Sequence, residues 1–309
     1  MISIVIPVYN SEKSLKKLIL NTIEVFKDLS FEIILVNDCS TDTSHKKCLE
    51  LCDKFDTLIS YIKLSKNVGE HNAVMAGLRL TVGDWVVIMD DDFQHPPLEA
   101  LKLINYASRS NFQVVYGKYN VKMHSFFRNL GSKINDLTTN LILRKPKDLY
   151  LSSFKCIKKD LVKKIIDYKG PYTYIDGLIL SITSNFGTLN IDHNPRTFGR
   201  SQYSLKKLIK LYFNIATNFS TFPIHLFSII GFIVATISSI YGIFIIVEKF
   251  INPDIPAGYS SMLTAIVFFS GIQLIFLGLI GEYVGKILKN VNQEPQYTIE
   301  FKKLKNEKK

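Results

Sequence analysis

Three consecutive carboxylates, Asp90, Asp91 and Asp92, follow the apolar run Val86–Met89 and precede Phe93-Gln94-His95-Pro96-Pro97. Carboxylates packed this closely repel, so such a triplet at the end of a strand calls for a compensating cation or a shell of donors. In extended chain, alternate residues face one side, which puts Asp90 and Asp92 on the same ion and turns Asp91 elsewhere. The chemistry indicated is a divalent metal held by Asp90 and Asp92. The competing reading is a solvated acidic loop before a helix that opens at Pro96 and Pro97, since acids are favoured at helix starts.

The elements needed to position these acids are legible. Ile2–Pro7, Phe31–Val36, Leu58–Leu64, Trp85–Met89 and Phe112–Tyr116 are β-rich runs, separated by helical patterns over Ser11–Phe26, Thr41–Phe55, Glu70–Thr81 and residues 97 to 109. Strands alternating with helices predict an α/β domain with a mostly parallel sheet covered on both faces. Ligands collect at the carboxyl ends of such strands. There lie Pro7-Val8-Tyr9-Asn10, Asn37–Asp42, Ser65-Lys66-Asn67-Val68-Gly69 and the Asp triplet. This suits a nucleoside diphosphate with a metal. Neither GxGxxG nor GxxxxGK[ST] is present, so a dinucleotide fingerprint and a P-loop are both excluded.

From residue 120 to 220 the chain is more basic. A segment over about 124–143, with Arg128 and Lys133, reads equally as an amphipathic helix on an anionic bilayer or as a solvated helix face. Arg196, Arg200, Lys206, Lys207 and Lys210 then precede an apolar region. Ile224 to Val247 contains no Lys, Arg, Asp or Glu and as a helix would extend about 36 Å. A second uncharged run begins at Tyr259 and ends at Ile280. The expected organisation is a cytoplasmic catalytic domain over 1–215, two membrane helices (about 224–247 and 259–281) within 222–285, and a basic tail over 286–309. The turn between the two runs has no positive excess, whereas both flanks are rich in Lys and Arg. Both termini are therefore expected in the cytoplasm, with the protein a multi-pass component of the inner membrane.

The formal net charge of +11 falls beside the membrane runs, which favours lipid phosphate over nucleic acid as its partner. Cys39, Cys48, Cys52 and Cys156 show no CxxC spacing, as expected of reduced thiols. His45, Cys48 and Cys52 share a helix face that reads as half-buried packing rather than a metal site. The first strand begins at Ile2, so no signal peptide is expected.

Taken in order, Val5-Ile6-Pro7-Val8-Tyr9-Asn10, Leu35–Asp42, Asn67-Val68-Gly69, Met89–Pro97 and Arg196-x-x-Gly199-x-Ser201-x-Tyr203 resemble the family 2 glycosyltransferases of GT-A fold. The polyprenyl-phosphate branch, with dolichol-phosphate mannose synthase and bacterial undecaprenyl-phosphate sugar transferases, is also similar in Leu279–Gly285 and Pro295-Gln296-Tyr297. The resemblance implies inverting transfer of a sugar from a nucleotide donor, UDP-linked, to polyprenyl phosphate for cell-envelope glycans. It implies Mg²⁺ or Mn²⁺ on Asp90 and Asp92, a nucleotide pocket of Pro7, Tyr9, Asn10, Asp38, Lys66 and Asp90, and an acceptor-phosphate site of Arg128, Arg196, Arg200 and Ser201. A homo-oligomer is also expected. Three departures stand out. Asn37 replaces the first acid of a common pair, Gln202 replaces a lysine, and Ser153 stands where many relatives carry an acid. Asp176 is the substitute candidate for a base or a sugar-hydroxyl contact, with a turn residue before Gly177 as the alternative reading. The rival functions are a processive polysaccharide-forming transferase, disfavoured by only two spans and no Gln-x-x-Arg-Trp, and a non-catalytic membrane scaffold.

Overall fold

The computed structural model describes residues 1–119, 149–192, 222–251 and 258–306. The order is β1 (Ile2–Val8), α1 (Leu15–Phe26), β2 (Phe31–Asn37), α2 (Ser44–Lys54), β3 (Ile59–Leu64), α3 (Glu70–Leu78), β4 (Trp85–Ile88), α4 (Pro97–Arg109) and β5 (Val114–Tyr119). Then come β6 (Lys155–Lys158), α5 (Lys159–Ile166), α6 (Ile175–Ile182), β7 (Phe186–Ile191), α7 (Phe222–Ile251), α8 (Tyr259–Val291) and β8 (Ile299–Lys303). The chain divides into two compact units, one of residues 1–204 with 293–309 and one of residues 205–292.

In the first unit eight strands form one sheet in the order β7-β5-β6-β4-β1-β2-β3-β8. All seven residues of β1 and of β2 are buried, as a parallel sheet covered on both faces requires. Ile4, Ile6 and Val8 pack with Leu15, Leu18 and Ile19 of α1 and Leu103 of α4. On the opposite face α3 lies very close: a Cβ on Gly77 would meet Val5 Cγ1 at 2.5 Å, so glycine sets that helix-to-sheet distance.

The sequence reading needs two corrections here. The fifth strand begins at Val114 rather than Phe112, and a further strand, β6, lies between it and β4 and pairs antiparallel with both. At four residues, Lys-Cys-Ile-Lys, β6 carries too little pattern to be read as a strand. In addition, residues 286–309 are not one separate tail. Lys286 belongs to α8, and β8 pairs antiparallel with β3 in the first unit. Charged side chains of this segment pair with the rest of that unit. Lys63 bonds Glu300 at 2.8 Å, Lys303 pairs with Asp53, and Lys305 reaches the buried Glu32 at 2.5 Å. Gln296 donates to the carbonyls of Tyr168 and Gly170 at 3.0 and 2.9 Å.

In the second unit α7 and α8 touch through Phe227 and Phe276, whose rings meet edge-on at 5.4 Å. Among the described residues, one segment, Phe268–Val291, is long and apolar enough to cross a membrane, and its apolar stretch is not buried. A core helix of a soluble domain would bury it.

Candidate functional site

The order β2-β1-β4 means that the chain leaves β1 in one direction for β2 and β3 and returns on the other side for β4. That reversal opens a crevice at the carboxyl ends of β1 and β4. Pro7 shapes it. Val5 accepts from Met89 at 3.0 Å on the β4 side, and Val8 accepts from Asp38 at 2.9 Å on the β2 side. By alternation the nitrogen of Pro7 points toward β4, whose ladder has already ended at the Val5–Ile88 pair. A proline costs no ladder bond at that place.

Past Ile88 the acidic triplet leaves the strand, and its three side chains take different partners. Asp90 Oδ2 accepts from Ser153 Oγ at 2.7 Å and lies 3.7 Å from His95 Nδ1. His95 is buried and stacks on Phe154, with ring centroids 4.6 Å apart. Asp92 Oδ1 accepts the Gln94 N–H at 3.0 Å, and Phe93 turns the chain with φ +63°. Asp91 is no bystander. Its Oδ2 accepts the Tyr9 N–H at 2.9 Å and the Ser11 hydroxyl, and its carbonyl accepts from Ser14 at 2.6 Å. Burial, opposed by those bonds, pushes its carboxyl up to about 7. Asp91 thus ties the β4 loop to the start of α1.

The other loops are tied in the same way. Asn10, at φ +54°, donates its N–H to Ser40 Oγ at 3.0 Å and accepts from the Thr41 N–H at 2.8 Å. The two oxygens of Asp38 accept the N–H groups of Val68 and Gly69 at 2.8 and 2.9 Å. Burial raises its pKa against those two bonds. Asp38 therefore holds the β3–α3 loop, on which Lys66 is exposed. Asn37 explains its own departure from the acid. Its Nδ2 donates to Tyr61 Oη at 3.0 Å while its Oδ1 accepts the Ser40 N–H at 2.8 Å. An amide supplies both roles and a carboxylate only the second.

On the β6 side, Lys155 pairs with Asp176, both buried, and Tyr116 Oη donates to the same Asp176 oxygen at 3.0 Å. The ammonium also lies 5.2 Å from the centre of the Tyr116 ring. With its Oδ1 bonded twice, Asp176 is the counter-ion of Lys155, and it lies inside α6 rather than in a turn. At Glu70, at the start of α3, desolvation and then the charge of Asp90 push the carboxyl up to about 8, against the pull of Lys155. His71 is held down to about 4 by burial, and its ring meets Tyr174 edge-on at 4.9 Å.

Arg128, Arg196, Arg200 and Ser201, the residues assigned to the acceptor phosphate, and the 124–143 segment lie outside the described residues. Sequence reasoning missed the roles of Ser153, Lys155 and Tyr116. The strand period places Ser153 and Lys155 on one side, but only once β6 is recognised.

Among the described residues no three His, Cys, Asp or Glu side chains gather as a metal site. Asp90 and Asp92 are the two carboxylates that could hold a cation at this rim. Hard oxygens in that number fit Mg²⁺ or Mn²⁺, which take one or two carboxylates and fill the remaining positions with phosphate oxygens and water.

The GtrB C-terminal hairpin model matches residues 222–287. Among solved structures, glucosyl-3-phosphoglycerate synthase from Mycobacterium tuberculosis, in complex with Mn²⁺, UDP and phosphoglyceric acid, superposes with a TM-score of 0.52 at 16% identity, over 70% of this chain and 76% of that one. This likeness is one of fold. The undecaprenyl-phosphate 4-deoxy-4-formamido-L-arabinose transferases of Pectobacterium carotovorum and Proteus mirabilis are each 33% identical, covering 97% of this chain and 92% and 93% of theirs. The glycosyl transferase family 2 model matches residues 3–166, and with an α/β sheet whose β1–β4 crevice carries Asp90 and Asp92, the chain belongs to that family of glycosyltransferases.

Proposed function

We propose that this enzyme transfers a sugar from a nucleoside-diphosphate sugar, UDP-linked, to undecaprenyl phosphate at the cytoplasmic leaflet, with inversion at the anomeric carbon. The observation that carries the proposal is the pair Asp90 and Asp92 at the mouth of the β1–β4 crevice, in a chain that continues into an apolar hairpin. Support comes from relatives of that named activity along nearly the whole length.

Asp90 and Asp92 hold a divalent cation, which when bound neutralises the departing nucleoside diphosphate. The loops fixed by Asn10, Asp38 and Asp91 form the walls that receive the nucleotide, with Pro7, Tyr9 and Lys66 on them. A phosphomonoester acceptor has a second pKa of about 6, so its oxygen attacks without surrendering a strongly held proton. No general base is then required, which accords with Asp176 being occupied by Lys155. Arg128, Arg196, Arg200 and Ser201 are proposed for the acceptor phosphate, where guanidinium forks suit its oxygens. Both helices of the hairpin span the bilayer, with the two termini cytoplasmic.

Membranes carrying the protein, incubated with a panel of nucleotide sugars and undecaprenyl phosphate, should yield one lipid-phosphate sugar identifiable by mass. No glycolipid from any donor would overturn the proposal. Asp92→Ala should abolish transfer in a folded, membrane-bound protein, and near-normal turnover would remove the metal assignment.

A further inference from the structure

Ser153 stands where an acid is expected from the family pattern, and the structure gives the hydroxyl a task of its own. It donates to Asp90 Oδ2 at 2.7 Å. Its backbone is rigidly placed. The next residue, Phe154, is fully buried, its N–H donates to Ser152 Oγ at 3.2 Å, and its carbonyl accepts from Gly117 of β5 at 3.0 Å. Phe154 turns to the opposite side and stacks on His95, whose Nδ1 lies 3.7 Å from the same Asp90 oxygen. Lys155 then enters the ladder opposite Ile88 of β4 and Tyr116 of β5. The hydroxyl that meets Asp90 is thus carried by a segment locked between two strands, with one side-chain torsion to fix.

We infer that Ser153 is a positioning residue that holds the Asp90 carboxylate in the orientation required for the divalent cation, and that it takes no part in proton transfer. The inference rests on the reading of Asp90 as a cation ligand. A hydroxyl donating to a metal-binding carboxylate fixes its rotamer, and removing such a supporting bond typically weakens metal affinity by about 10–100-fold. An acid at this position would instead set a second negative charge against Asp90.

The test is binding of Mn²⁺ to the full chain in detergent, with and without UDP, read from the spin-resonance signal of the free ion. Ser153→Ala should raise the Mn²⁺ Kd by about tenfold or more, and Ser153→Thr, which restores the hydroxyl, should return it to within about threefold of the natural protein. Asp92→Ala is measured beside them. If Asp92→Ala binds Mn²⁺ normally, the cation reading itself fails. If Asp92→Ala loses the ion while Ser153→Ala binds it as the natural protein does, the inference about Ser153 is overturned and the cation reading stands. Ser153→Asp separates positioning from base catalysis, because a gain in turnover with unchanged Mn²⁺ affinity would also overturn the inference. Should Ser153→Ala fail to fold, Ser153→Cys, with a weak thiol donor of similar size, should show the weakened binding, and normal binding by it would count equally against the inference.

Discussion

Lys155→Met tests the buried ion pair beside the crevice. The Lys155 and Asp176 side chains are 3% and 9% exposed, so solvent screens their attraction very little. Removing one partner of such a pair typically costs about 3–5 kcal/mol, because the other charge stays buried without compensation. Tyr116 Oη still donates to Asp176 at 3.0 Å, which places the expected loss near the lower end, about 3 kcal/mol. For a unit of this size that lowers the melting temperature by about 6–12 °C. Asp176→Asn should also destabilise, since it removes the carboxylate that pairs with the buried Lys155. The double variant should cost less than the sum of the singles by about 2 kcal/mol, as for groups in direct contact. Trp85, the one tryptophan of the sequence, lies on β4 opposite Lys158 of β6. Its fluorescence during thermal and urea unfolding of the full chain in detergent therefore reports this unit alone. A Lys155→Met protein melting within about 2 °C of the parent, or singles that simply add, would refute the reasoning.

Three further predictions concern the supports of the site. His71 has a pKa of about 4 in the fold, below its ordinary 6.5, so its neutral form contributes stability fully above about pH 6.5 that is lost as pH falls toward 4. His71→Gln should flatten that acid limb in urea titrations of the metal-free protein, and an unchanged pH profile would refute it. Gly69 has φ +87° and ψ 157° at the start of α3 while its N–H meets Asp38. Gly69→Ala should cost about 1–3 kcal/mol and weaken UDP binding by calorimetry, whereas unchanged values of both would show that the loop tolerates a side chain. Lys305→Met removes the cation beside Glu32, which is 1% exposed and also accepts from Ser3 Oγ at 2.6 Å and from the Val82 N–H at 2.9 Å. A loss of about 1–3 kcal/mol in unfolding free energy is expected, and none would mean that the Lys305–Glu32 pair contributes nothing to the stability of this unit.

What the sequence determined by itself is the local pattern with its period and punctuation. The alternation of short apolar runs with amphipathic helices located β1 to β4, and the polar segments after them, with Pro7, Asn10, Asp38 and the Asp triplet, identified the rim because strand ends in a parallel sheet carry the ligands. The uncharged runs after residue 224 were equally plain, since length and absence of charge are enough to mark them. Tertiary structure alone decided what pairs across long separations. A four-residue β6 has almost no periodic signal, yet its insertion between β4 and β5 brings Ser153 to Asp90 and Lys155 to Asp176. The lysine-rich end of the chain read as a tail because composition records charge without its partners. Asp53, Glu32 and Glu300 with Lys63 make it an edge strand of the catalytic sheet. Asp90, Asp91 and Asp92 are neighbours of identical type, and no property of the sequence separates them beyond alternation. What distinguishes Asp91 is the arrival of the Tyr9 N–H and the Ser11 hydroxyl from the adjoining loop, a convergence that exists only when β1 and β4 lie side by side.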